Sequence, residues 1–130
     1  MRVELTNATR RYLIPASRIG SMPVSPFMLL PAIPSRGWLL KYILFNHNGD
    51  DGIVHINDSY FRVRHDGSSE DLVDAMTIQE VLGTDASTHV AVPLPYEVQS
   101  NTAIELSTSV TVSGPTEPLE VIIVADKLML

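Results

Sequence analysis

Hydrophobic and polar positions alternate through one stretch of the last third of the chain and then cease to alternate. Ile104, Leu106, Val110 and Val112 are spaced by Glu105, Ser107, Ser109 and Thr111, with small Thr108 keeping the inward phase. This period of two predicts a strand with one face buried. After a Gly114-Pro115 break, Val121-Ile122-Ile123-Val124 is apolar at four successive positions, the pattern of a strand covered on both faces. Trp38-Leu39-Leu40-Lys41-Tyr42-Ile43-Leu44-Phe45 is dense in aromatic and branched residues and predicts another buried strand. The Asn-Gly and Asp-Gly pairs of Asn46-His47-Asn48-Gly49-Asp50-Asp51-Gly52 accept positive φ and predict a turn.

Shorter strands are expected at 53–56 and 60–64, forming a meander with the strand at 38–45. A further edge strand at 88–95 is ended by proline. Residues 75–82 alternate as a strand and compete with a partial helical spacing of Leu72, Val73, Met76 and Val81; the strand is preferred because strands surround it. Residues 38–130 then hold about seven or eight strands punctuated by turns. The predicted fold class is all-β, an antiparallel β-sandwich of jelly-roll type.

Residues 1–37 read differently. Pro15, Pro23, Pro26, Pro31 and Pro34 forbid a helix and a central strand between them. Phe27, Met28, Leu29, Leu30 and Ile33 are too apolar for a linker, so the segment must lie against something. Charge is divided the same way. Arg2, Arg10, Arg11, Arg18 and Arg36 against Glu4 give residues 1–37 a balance of +4, so the net −6 leaves −10 on residues 38–130. The expected organisation is an extended, basic, proline-rich arm (1–37) on a sandwich domain (38–130). Arg10, Arg11, Arg18, Phe27, Met28, Leu29 and Leu30 are the candidate protein-interface residues, docking on the chain's own sheet or on a neighbouring subunit.

A chain of 130 residues with 45% hydrophobic content is expected to form one domain with a sizeable core. The lack of cysteine excludes disulfides, thiolate metal sites and cysteine nucleophiles. No apolar run is long enough to span a bilayer, so no membrane partner is expected. Candidate chemistry fails in detail. The Asn46-Asn48-Asp50-Asp51 turn lacks a calcium loop's glycine placement and its closing carboxylate, because Asn57 stands where that carboxylate belongs. His47, His55, His65 and His89 are too widely spaced for a local metal pair. His65-Asp66 has no serine in a nucleophile elbow to serve. No catalytic residue, cofactor or metal is therefore expected. Arg10-Arg11-Tyr12 is too short a basic tract on an acidic body to argue for nucleic acid. Trp38, Tyr42, Phe45, Tyr60 and Tyr96 could stack a sugar, although three of them lie in a run that reads as core.

In general character the chain resembles small virion structural proteins of tailed bacteriophages, the capsid decoration (cement) and minor structural proteins. The resemblance lies in a short, cysteine-free β-sandwich with an extended arm, not in a motif. It implies a non-enzymatic protein located in the virion. Its partners would be copies of itself and other capsid or tail proteins. The alternative is a carbohydrate- or receptor-binding β-sandwich module.

Overall fold

The computed structural model describes the backbone of residues 4–50, 52–53, 59–65, 68–74, 76–83, 85–94 and 97–129. Strands run in the order β1 (Glu4–Ile14), β2 (Phe27–Leu30), β3 (Arg36–His47), β4 (Tyr60–His65), β5 (Met76–Thr77), β6 (Ser87–Ala91), β7 (Ile104–Thr108) and β8 (Leu119–Met129). Two short helices interrupt them, α1 (Ala16–Ile19) and α2 (Ile78–Leu82). Sheet A has the order β1-β8-β3-β6 and sheet B the order β2-β7-β4-β5. The pairs β1·β8, β2·β7, β3·β6 and β4·β5 are those of one long antiparallel ribbon folded back on itself. Wrapping that ribbon brings β8 beside β3 and β7 beside β4, which splits it into two sheets. This is a jelly roll, an all-β sandwich as the strand pattern predicts.

The interior is filled rather than hollow. Trp38, Leu40, Ile43 and Phe45 of β3 and Val121, Ile123 and Ala125 of β8 meet Phe61, Val63, Ile104 and Leu106 of sheet B, all of them buried. The rings of Phe45 and Phe61 join the sheets at 6.0 Å between centroids. A bulge at Lys41 lets Leu40 and Ile43 face inward together although they are three residues apart.

The expected boundary at residue 37 crosses the sandwich rather than bounding it. The proline-free stretch before Pro15 is β1, paired with β8 along its whole length. Phe27–Leu30, the four residues between Pro26 and Pro31, form β2 at the edge of sheet B, where flanking prolines remove no internal ladder bond. The segment is fastened to its own chain. The Tyr12 hydroxyl donates to the Leu29 carbonyl at 2.6 Å and the Trp38 indole N–H to the Pro31 carbonyl at 3.0 Å.

Two further expectations are corrected. No meander joins residues 38–45 to 60–64, because β3 lies in sheet A and β4 in sheet B; the strand expected at 53–56 falls largely outside the described residues. The strand expected over 75–82 stops after Met76–Thr77 and becomes α2. Thr77 accepts the Glu80 N–H at 3.0 Å, the side-chain cap of a Thr-x-x-Glu start, and Ile78, Val81 and Leu82 turn one helical face into the core.

Candidate assembly surfaces

The two outer faces of the sandwich are chemically opposite. On sheet A, strand register places Arg11, Ile122, Leu44 and Val90 side by side across β1, β8, β3 and β6. Thr9, Val124 and Tyr42 form the next row, and Leu13, Glu120, Asn46 and Thr88 the row on the other side. Ile122, Val124 and Leu44 are half-buried. Tyr42 is 42% exposed, Val90 52% and Val92, two residues beyond it, 59%. No described element lies over them.

Polar groups frame this apolar centre and are already engaged within the chain. Arg11 meets Glu120 at 2.7 Å, Asn46 donates to the other Glu120 oxygen at 2.8 Å, and the Thr88 hydroxyl donates to Asn46 at 2.8 Å. These donors hold the Glu120 carboxyl below the usual carboxylate range, the Asn46 amide first and Arg11 second. At the opposite end Lys41 lies 3.4 Å from Asp126.

On sheet B the outer row is Met28, Glu105 and Arg64, followed by Ser107 with Arg62 and by Tyr60. Arg64 pairs with Asp71 at 2.8 Å. An open cleft of about 280 Å³ runs between Pro23, Pro26 and this face, lined by Arg62, Arg64, Ser107 and Ser109.

The predicted interface residues separate under this geometry. Arg10, opposite Ile123 in the register of β1, is exposed, and Met28 is 54% exposed on the outer face of sheet B. Arg11 is exposed but tied to Glu120. Arg18 donates to Ser21 and to the Pro26 carbonyl and lies 5.7 Å over the Phe27 ring, which itself packs edge-on against Tyr12 at 5.2 Å. Leu29 and Leu30 are wholly buried in the core of their own chain. Sequence reasoning missed the sheet A face, although its signal was present in the unbroken apolar runs at 42–45 and 121–124.

The acidic turn is a clasp. Asp50, 4% exposed, accepts from the Gly52 N–H, the Thr116 N–H and hydroxyl, and the Glu117 N–H at 2.7–3.0 Å. Burial alone would raise its pKa, but the backbone donors of Thr116 and Glu117, then the Thr116 hydroxyl and Gly52, outweigh it and hold the carboxyl below its ordinary value. Gly52 and Gly114 make the close approach possible: a Cβ on Gly114, whose φ is +82°, would fall 2.0 Å from the Gly52 oxygen.

Next to the clasp, buried His47 accepts the Gly49 N–H at Nδ1, which leaves the neutral ring's proton on Nε2, near the Glu117 backbone but without a well-formed hydrogen bond among the described residues. Burial pushes the His47 pKa below its ordinary value, against Asp50 and Glu117, which favour the charged ring.

Among the described residues no three His, Asp or Glu side chains converge as metal ligands. His55 and Asp66 lie outside the described residues. The aromatic platform is not assembled: Trp38 and Phe45 are core, Tyr42 and Tyr60 stand on opposite outer faces, and Tyr96 lies outside the described residues.

No family model and no curated protein matches the chain. Among solved structures it is similar to a chain of the cyanophage Pam1 capsid asymmetric unit, at 11% identity and a TM-score of 0.49, over 99% of this chain and 86% of that one. The fold is assigned from the strand order of the two sheets.

Proposed function

We propose that the chain is a non-enzymatic virion structural protein, a capsid decoration (cement) protein or another shell or tail component, that acts by binding neighbouring subunits. The observation that carries this reading is the apolar outer face of sheet A, left without cover by the described residues of its own chain. A soluble domain that folds alone rarely leaves such a face without use. Jelly rolls serve viral shells, lectins and cupins alike, so the fold supports the virion reading only by analogy. The packed interior and the scattered histidines favour it over a cupin. Tyr42 and Tyr60 on opposite faces give a sugar platform less support. Of the predicted set, Arg11 lies on the outer face of sheet A, and Arg10 and Met28 are exposed elsewhere on the surface.

The test is the composition of purified particles. Mass spectrometry should find the chain at a fixed copy ratio to the major shell protein, and a particle map should show density fitting the jelly roll. Particles that lack the chain would remove the proposal.

A further inference from the structure

We infer that the outer face of sheet A is a two-fold interface between two copies of this chain, with the axis parallel to the strands and lying between β8 and β3. The inference rests on reading this face as an assembly surface and adds its occupant. Three observations select a second copy.

The first is charge. Arg11 and Lys41 are balanced by Glu120 and Asp126, so this face is neutral on a chain that carries −6. A strongly acidic or basic partner finds no complement here, and a second copy meets no net repulsion.

The second is register. Ile122 lies opposite Leu44, Val124 opposite Tyr42 and Glu120 opposite Asn46, with Asp126 beside Lys41. Turning a copy about an axis between β8 and β3 exchanges the members of each pair across the interface. Ile122 then faces the partner copy's β3 at the level of Leu44, and Val124 faces it at the level of Tyr42. Asp126 faces the stretch bearing Lys41, so opposite charges meet and each apolar side chain meets another. Two sheets stacked in this way pack about 10 Å apart with their strands aligned at the axis.

The third is area. Leu13, Tyr42, Val90 and Val92 are exposed on one face, and the largest apolar patch of a lone domain often serves a function. A standard interface covers ~800 Å² per partner, so the polar frame must be buried together with the apolar centre. Glu120 and Asn46 enter it already hydrogen-bonded, so covering them leaves few unmet polar groups.

The axis makes a distinctive prediction at Val90. It places β6 of one copy over β1 of the other, so Val90 faces the level of Arg11 in the partner. Sedimentation equilibrium of the full chain should show a reversible dimer at about 100 µM. Val90→Arg, on a half-exposed edge position, should raise the dissociation constant at least roughly tenfold with the β spectrum unchanged. Val90→Asp should raise it less, because the new carboxylate faces an arginine. Ser107→Asp, on the outer face of sheet B, should leave it unchanged. If Val90→Arg does not fold, Tyr42→Lys supplies the same reading.

A monomer at that concentration overturns the inference. So does a dimer indifferent to Val90→Arg, one weakened as much by Ser107→Asp, or one weakened more by Val90→Asp than by Val90→Arg. A dimer that follows the predicted order while the chain is missing from particles would sink the virion reading alone. A monomer found in particles would sink this interface alone.

Discussion

β7 and β8 occupy equivalent places in the two sheets, and their sequences differ. Each is a central strand, β7 between β2 and β4, β8 between β1 and β3. β7 turns Ile104, Leu106 and Thr108 inward and Glu105 and Ser107 outward, so the opposite sheet satisfies all its apolar groups. β8 turns Val121, Ile123 and Ala125 inward, and it also carries Ile122 and Val124 on the outside, where no described element lies over them. Water tolerates scattered apolar side chains at little cost, so neither strand is unstable. Contiguity makes the difference, because Ile122 and Val124 continue into Leu44, Tyr42 and Val90. A strand read as covered on both faces has one cover from its own fold and room for another from outside.

Removing residues 1–37 breaks the comparison most severely, because each central strand loses one neighbour, β1 from β8 and β2 from β7. Leu29 and Leu30 leave the core, and Tyr12 goes with them. The truncated chain is expected not to fold, seen as loss of the cooperative thermal transition. A truncated chain that keeps its β spectrum would show that this segment is dispensable to the sandwich.

The inner faces of the two strands should behave alike. Leu106→Ala and Ile123→Ala each delete a wholly buried side chain and should cost about 2–5 kcal/mol in urea unfolding. Ile122→Ala, one residue away but facing outward, should cost well under half as much when measured on dilute protein. Equal costs at Ile122 and Ile123 would mean that the outer face is covered within the chain.

The same two strands show what was legible in the sequence and what was not. Alternation in 104–108 gave the inward set of β7 correctly, since one polar face and one apolar face admit a single orientation. The apolar run of β8 identified a strand but not the source of its second cover, because hydrophobicity does not say whether the cover comes in cis or in trans. In the leading segment the prolines exclude a central strand, and none stands there. Proline excludes only the positions it occupies, however, so edge strand β1 fits before Pro15 and edge strand β2 between Pro26 and Pro31. Of the two docking places the sequence leaves open for Leu29, its own sheet holds it in the core, so Phe27→Ala with Leu29→Ala should unfold the chain rather than loosen an assembly. The Thr77-Ile78-Gln79-Glu80 cap was legible and was outweighed by the neighbouring strands. The pairing of Asp50 with Thr116 spans 66 residues, and no local pattern announces it.

That clasp fixes where β8 begins, and β7 has nothing like it. Asp50→Ala removes four accepted hydrogen bonds beside a buried histidine and should cost on the order of 1–3 kcal/mol. Acid acts on the same joint. His47 and Asp50 both have lower pKa values folded than unfolded. The unfolded chain therefore binds the extra protons, and stability falls as pH falls. The His47 contribution begins to be lost just below its ordinary value of 6.5, and that of Asp50 only below 3.8. The thermal midpoint should decline between neutral pH and about pH 5, and His47→Phe should flatten that decline. A midpoint that rises over this interval would reverse the sign assigned to His47.

The smallest effect should come from the polar frame of sheet A. Lys41 is about half exposed and 3.4 Å from Asp126, so the pair is screened by solvent and gains little from holding a long side chain in place. Lys41→Ala should change the stability of dilute protein by less than about 1 kcal/mol, and added salt should shrink even that. In the proposed dimer the same lysine faces a second Asp126, in a setting from which water is partly excluded. Its loss should then weaken self-association by a larger factor than it weakens folding, and the loss should grow at low salt. Equal, salt-independent changes in both measurements would show that Lys41 meets only its own chain, and that the frame of this face is a surface feature like the Arg64–Asp71 pair on sheet B.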